Sequence, residues 1–258
     1  MTEQTNAQLQ EKIAIVTGGA SGIGKATCFA LANEGAILVV VDLDQARVDE
    51  TAQECWNRFP GEKPLALAAD VRSEQDMEDM VKRTADRFGR IDLLVHSAGI
   101  LRAPGSGPKF MYQIDVNEWN AVIDTNLKGT FLCNRAVAAA MITQRGGHII
   151  NISSTSGLRG RAYDSVYCAS KFGIVGLSEA LAEELRQYGI RVNVVMPDAV
   201  NTPIWDQNGP VKAPKGALEP ERIAEVITHI ALLPDDTLVG HTVVFPFITR
   251  RRKKEKEE

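Results

Sequence analysis

Apolar residues fall into short runs, separated by longer stretches in which they recur every three or four positions. Lys12 to Thr17 (KIAIVT) is a short run rich in β-branched residues. A glycine-rich turn follows, then a helical stretch from Ile23 to Glu34. Gly35 ends that stretch, as glycine does just past a helix C-terminus. Ala36 to Val41 is apolar at every position, the pattern of a strand buried on both faces of a parallel sheet. The alternation continues with a strand at Pro64 to Ala68, a helix at Glu74 to Phe88 and a strand at Ile91 to Val95. A long helical stretch spans Val116 to Arg145. His148 to Ile152 is a strand, Ser165 to Gln187 a helix and Arg191 to Val195 a strand. A helix at Pro220 to Leu232 and a strand at Leu238 to Phe245 complete the series. Alternating strands and helices predict an α/β, Rossmann-type, doubly wound parallel sheet of about seven strands, with right-handed crossovers placing helices on both faces. No linker or repeat divides the pattern. It predicts one domain over residues 1–249 and a charged tail over 250–258.

Composition narrows the class. Hydrophobic residues make up 44% of the 258 positions and charged residues 24%, which excludes general disorder. No apolar run approaches the roughly 20 residues of a membrane helix, and Met1 to Glu11 lacks the apolar core of a secretory signal. The reading is no membrane partner. Cys28, Cys55, Cys133 and Cys168 lie far apart. They form neither a disulfide framework nor a metal-binding spacing, which points to a reducing cytoplasm. The net charge is −4, and the tail Arg250 to Glu258 holds six basic and three acidic residues, so residues 1–249 carry −7. An acidic body argues against nucleic acid as a partner. For the tail, a solvated end, a contact with a neighbouring subunit and capture of an anionic group all stay open.

The first strand runs into Thr17-Gly18-Gly19-Ala20-Ser21-Gly22-Ile23-Gly24. A glycine-rich turn between a strand and a helix lets the backbone approach a pyrophosphate, and the helix N-terminus stabilises its charge. Asp42 closes the second strand, 24 residues after Gly18. A carboxylate there accepts hydrogen bonds from a ribose diol and repels a 2′-phosphate. No Arg or Lys lies in the turn before Gly22 or at the two positions after Asp42, Leu43 being the first of them. This favours NAD over NADP. Asp70-Val71 ends the third strand, as an adenine contact or as a helix cap. Tyr167 and Lys171 stand four apart and so share one helix face. An ammonium beside the phenol lowers its pKa from about 10 and makes it a usable acid or base. Ser154 lies upstream, at the C-terminal end of a strand, where open α/β sheets bind ligands. Ser153 and Ser156 flank it, so the choice among the three depends on register.

With these residues in place the chain resembles the short-chain dehydrogenase/reductase family, in its compact single-domain branch. The resemblance spans residues 10–245 and rests on TGGASGIG at 17–24, Asp42, Asp70-Val71, Ser97-Ala98-Gly99, Asn126, Ser154, Tyr167 to Lys171 and Arg191 to Asn193. It implies a catalytic tetrad. Tyr167 exchanges the proton of the substrate oxygen, and Ser154 orients that oxygen. Lys171 binds the nicotinamide ribose and lowers the Tyr167 pKa, and Asn126 holds a relay water. It also implies a cofactor site of Gly18, Ser21, Gly22, Ile23, Gly24, Asp42, Leu43, Asp70, Val71, Ser97, Ala98, Gly99, Tyr167, Lys171, Pro197, Val200 and Thr202, with no metal. Homotetramers or homodimers built on helices 117–145 and 165–187 would follow.

The implied activity is NAD(H)-dependent interconversion of a secondary alcohol, the small-molecule partner, and its ketone. The alternative is an NAD(H)-binding regulator or scaffold with little turnover. An epimerase of the extended branch would need a larger C-terminal domain than the 91 residues after Tyr167. Two departures stand out. His96-Ser97 replaces the family's paired asparagines, and Pro197-Asp198 replaces its Pro-Gly. Ile100 to Asp115 and Asn201 to Leu218, the latter a lid with Trp205, are expected to shape the substrate pocket.

Overall fold

The computed structural model describes residues 9–209 and 211–247. The terminal tail from Arg250 lies outside them. Seven strands form one parallel sheet: β1 (Ile13–Thr17), β2 (Ile37–Asp42), β3 (Leu65–Ala68), β4 (Leu93–His96), β5 (Gly147–Ile152), β6 (Ile190–Pro197) and β7 (Thr242–Val244). Their order is β3-β2-β1-β4-β5-β6-β7. The direction of winding reverses between β1 and β4, and a crevice opens there beyond the strand C-termini.

Strand alternation sorts the core into two layers. Ala14 and Val16 of β1 face one side, with Leu38, Val40, Val95 and Ile152. They pack against α1 (Gly22–Asn33), α2 (Gln45–Arg58) and α7 (Pro220–Ala231) through Leu31, Val48, Ile223 and Ile227. Ile13 and Ile15 face the other side, with Val39, Leu94 and Ile149. They pack against α3 (Glu74–Phe88), α5 (Gly129–Gln144) and α6 (Ser165–Leu185) through Met77, Met80, Met141 and Leu185. Each fully buried aliphatic side chain of this kind contributes roughly 1.5–3 kcal/mol of hydrophobic stabilisation.

Three sequence expectations are corrected. Helix α2 was not read from the sequence. Its apolar face is only Val48, Ala52 and Cys55, too thin a stripe to stand out among its polar residues. The expected helix from Val116 to Arg145 is interrupted. α4 (Val116–Ile123) passes into a π-helical segment, Asp124–Lys128, before α5 begins. The last strand shrinks from the expected 238–245 to Thr242–Val244, because only Val195 to Pro197 at the end of β6 remain as partners. Among the described residues no helix is long and apolar enough to cross a membrane. Among the same described residues no group of three or more His, Cys, Asp or Glu could hold a metal ion. The four cysteines are buried and unpaired.

Candidate active site

The glycine-rich turn is shaped by contact. Gly18 has φ +68°, and a Cβ there would come within 2.9 Å of the Ala98 backbone nitrogen. A Cβ on Gly24 would lie 2.1 Å from the Gly18 carbonyl oxygen. The turn can therefore close only around glycine. Ser21 caps α1 without a side-chain hydrogen bond to the helix. The amides of the first turn thus have no side-chain capping partner and lie available to an anion.

A cleft of about 430 Å³ runs from this turn. Gly18, Ser21, Ile23, Asp42, Leu43, Asp70, Val71, Ser97, Ala98, Gly99 and Thr202 line it. Asp42 ties β2 to the turn: one carboxylate oxygen accepts from the Leu43 amide (2.8 Å), the other from the Ala20 amide (3.1 Å). Asp70 is engaged by Arg72, whose guanidinium holds the carboxylate below its usual range through a side-chain hydrogen bond. Asp70 does not cap the next helix; Ser73 does. Among the cleft residues that escaped the sequence reading, one is charged and lies beside Asp42. Arg47 reaches back to the Ala20 carbonyl (3.2 Å) and lines the cleft beside Asp42. It lies in the first turn of the unread helix α2, so no motif spacing pointed to it.

A second cavity of about 280 Å³ adjoins the first and shares Ile23, Ser97, Gly99, Thr202 and Ile204 with it. Ser154, Tyr167, Lys171, Pro197 and Val200 line this lobe, together with Asp198. The tertiary structure separates Ser153 from Ser154. The Ser153 hydroxyl is committed to the Lys171 carbonyl (2.9 Å), whereas Ser154 accepts from the Ser156 amide (3.1 Å). The π-helical segment carries Asn126 inward. Its amide accepts from the Ile100 N–H and donates to the Ile100 carbonyl (both 2.8 Å), and it also donates to Ser170 Oγ (3.0 Å). A Cβ on Gly99 would fall 3.2 Å from Asn126 Oδ1 and 3.6 Å from Lys171 Nζ. Gly99 is therefore the residue between the two side chains.

The expected acid–base pairing is altered by burial. The Lys171 ammonium donates to the Ile152 carbonyl (3.0 Å) and lies 5.5 Å from the centre of the Tyr167 ring. Burial pushes Lys171 down to about 8. Burial also pushes Tyr167 up to about 12, against the lowering effect of Ser154. In the protein alone, desolvation outweighs the lowering effects of Ser154 and Arg161 on the phenol. His96 replaces an asparagine at the end of β4. Its Nδ1 meets Thr17 Oγ1 at 2.9 Å, and burial pushes it down to about 3, so it braces the turn as a neutral ring.

The segment expected to form a lid is tied to the loop after β4. Gln207 Oε1 accepts from the Leu101 amide (2.8 Å) and the Arg102 amide (3.3 Å). The Arg102 guanidinium pairs with Asp164 and donates to Asn208.

Comparisons with known proteins agree with this architecture. The family model described as short chain dehydrogenase matches residues 12–212. The chain is 39% identical to the (2S)-[(R)-hydroxy(phenyl)methyl]succinyl-CoA dehydrogenase subunit BbsD of Thauera aromatica, over 86% of this chain and 90% of that one. It superposes with TM-score 0.80 on a metagenomic short-chain oxidoreductase in complex with NADP, at 33% identity, covering 94% of this chain and all of that one. It superposes with TM-score 0.82 on the 3-ketoacyl-(acyl-carrier-protein) reductase of Brucella melitensis complexed with NADH, at 28% identity, covering 92% and 98%.

Proposed function

From the premise that the chain belongs to the short chain dehydrogenase family, we propose that it is an NAD(H)-dependent oxidoreductase interconverting a secondary alcohol and its ketone. The observation that carries the reading is the joining of the two lobes at Ser97 and Gly99. Asp42 and the open helix N-terminus lie in one lobe; Ser154, Tyr167 and Lys171 line the other. The residues fit a nicotinamide dinucleotide. The glycine turn and the α1 amides would hold the pyrophosphate, Asp42 the adenosine ribose, and Lys171 the nicotinamide ribose. The nicotinamide, when bound, supplies or takes the hydride.

The chain's own residues do the rest. The Tyr167 hydroxyl gives its proton to the ketone oxygen during reduction, or takes the alcohol proton during oxidation. Ser154 donates to the same oxygen and stabilises its developing charge. Asn126 pins the Ile100 backbone beside Gly99, and we assign it the water that relays the proton beyond Lys171. The secondary-alcohol reading draws on the hydroxy(phenyl)methyl group in the name of the Thauera relative. Relatives bind either NADP or NADH. Asp42 favours NAD, whereas Arg47 is the residue that would favour a 2′-phosphate. Partly exposed Trp119, Phe131 and Phe172 on α4, α5 and α6 support a homodimer or homotetramer built on these helices, measurable by light scattering. Four unpaired thiols suit a cytoplasmic home.

The test is NADH formation across a panel of secondary alcohols, with NAD and NADP side by side and Tyr167→Phe as control. A Tyr167-dependent rate supports the reading. NADH binding without turnover on any alcohol or ketone would favour a regulator or scaffold.

A further inference from the structure

Asp198 stands where the family places glycine, at the C-terminal end of β6. Its side chain lines the catalytic lobe and not the cofactor cleft. Its Oδ1 accepts from Thr155 Oγ1 (2.7 Å) and pairs with the Arg161 guanidinium. Arg161 Nη2 also donates to Thr155 Oγ1 (2.9 Å). Burial raises the Asp198 carboxyl, but Thr155 and Arg161 together hold it below its usual range. It is therefore an anion, with its Oδ1 occupied by these two partners.

Arg161 is in the opposite position. Thr155 and Asp198 engage only Nη2. Among the described residues Nε and Nη1 make no hydrogen bond, and the side chain remains 40% exposed. Thr155 directly follows Ser154, so the same side chain that fixes the guanidinium adjoins the group expected at the substrate oxygen. The charge around it is unbalanced. Arg161, Lys171 and Lys215 line the lobe, with Asp164 and Asp198 as its carboxylates. Asp164 is already paired with Arg102, and Asp198 with Arg161. The unspent Nε–H and Nη1–H groups can each donate a charge-assisted hydrogen bond to a carboxylate.

We propose that Arg161, oriented by Asp198, determines substrate specificity by binding a carboxylate carried a few carbons from the reacting carbinol. The substrate class is thus a hydroxy acid or keto acid, not a neutral alcohol. The inference rests on the dehydrogenase reading for its chemistry. It rests on Asp198, Thr155 and Arg161 for its selectivity. Asp198 acts through Arg161 and is a positioning residue.

The experiment measures kcat/KM of the full chain with NAD for hydroxy acids whose carboxylate lies one, two or three carbons from the carbinol, each against its methyl ester. A hydrogen-bonded charge pair is worth about tenfold to 150-fold. At least one acid is expected to exceed its ester by about that factor, chiefly through KM. Arg161→Gln brings the acid-to-ester ratio close to one, and Arg161→Lys restores part of it. Asp198→Asn lowers the ratio by several-fold, as loss of orientation requires. NADH fluorescence titration reports separately whether each variant folds. Equal rates for every acid and ester, or a preference untouched by Arg161→Gln, overturn the proposal. If no compound yields Tyr167-dependent NADH, the dehydrogenase reading fails instead. Binding of the matching keto acids and esters to the protein–NADH complex then decides the anion site. Arg161-dependent preference for the acids upholds it, and equal affinity overturns it.

Discussion

Lys171 lies one helical turn beyond Tyr167 on α6, with its Nζ 5.5 Å from the centre of the phenol ring; Lys171 is buried and Tyr167 half-buried. Burial drives the two pKa values toward neutrality of both side chains: Lys171 to about 8 and Tyr167 to about 12. A lowered lysine contributes stability that is present above its unfolded value of 10.5 and is lost as pH falls through about 8. The unfolding free energy of the native chain, relative to Lys171→Met, should therefore rise between pH 7.5 and pH 10.5 by about 2–3 kcal/mol. Tyr167 acts in the other direction and at higher pH. Its contribution is present below 10.0 and lost as pH rises through about 12. Urea titrations across this range check the sign. A flat difference would mean that the ammonium is solvated in the native protein.

Tyr167→Phe removes the only phenol in the catalytic lobe while keeping its ring. Turnover should fall by about 10²–10⁴-fold, the usual worth of a positioned acid or base. NADH affinity should change little, because the role proposed for the hydroxyl is at the substrate oxygen. Steady-state rates alongside fluorescence titration separate the two effects.

Asp42→Ser deletes the carboxylate proposed to hold the adenosine ribose and leaves Arg47 in the cleft beside it. The ratio of kcat/KM for NAD to that for NADP should drop by about 10–100-fold, the scale of a charged hydrogen bond. Adding Arg47→Ala to Asp42→Ser should abolish the gain in NADP use. If Asp42→Ser leaves the ratio unchanged, Asp42 serves the Ala20 and Leu43 amides alone.

Gly24→Ala places a methyl group 2.1 Å from the Gly18 carbonyl oxygen, with backbone on both sides. The turn must open, at a cost of about 1–3 kcal/mol for overpacking. Lower melting temperature and weakened NADH binding should appear together. Gly61→Ala is the matched control, since a Cβ there meets nothing within 4 Å.

Gln207→Ala unties the lid from the Leu101 and Arg102 amides. Proteolysis between 201 and 218 should accelerate and substrate KM should rise, with the melting temperature nearly unchanged. Limited digestion with and without NADH measures it.

The parts of this protein that were legible in the sequence are those with a local cause. An unbroken apolar run marked β2 because both faces of the strand are covered. The glycine turn and the spacing of Tyr167 and Lys171 were visible because a turn and a helix face are set within a few residues. Helix α2 was missed because its buried stripe, Val48, Thr51, Ala52 and Cys55, holds only small or β-branched side chains, and Arg47 was missed with it. The break at Asp124–Lys128 carries no proline or glycine. It follows from the tertiary position of Asn126, which bonds the Ile100 backbone and Ser170.

The alternation of strand and helix, the phosphate-type turn and the helix-borne Tyr–Lys pair were determined by sequence alone, since each depends on short-range periodicity. That the Ser153 hydroxyl is occupied was decided by the tertiary structure, because α6 packs its Lys171 carbonyl onto Ser153. So was the orientation of Arg161, set by a carboxylate 37 positions away. So was the anchoring of the lid by Arg102, across 106 positions. Such pairings arise only when the sheet closes and brings distant strand ends to one crevice, and no local pattern in the chain encodes them.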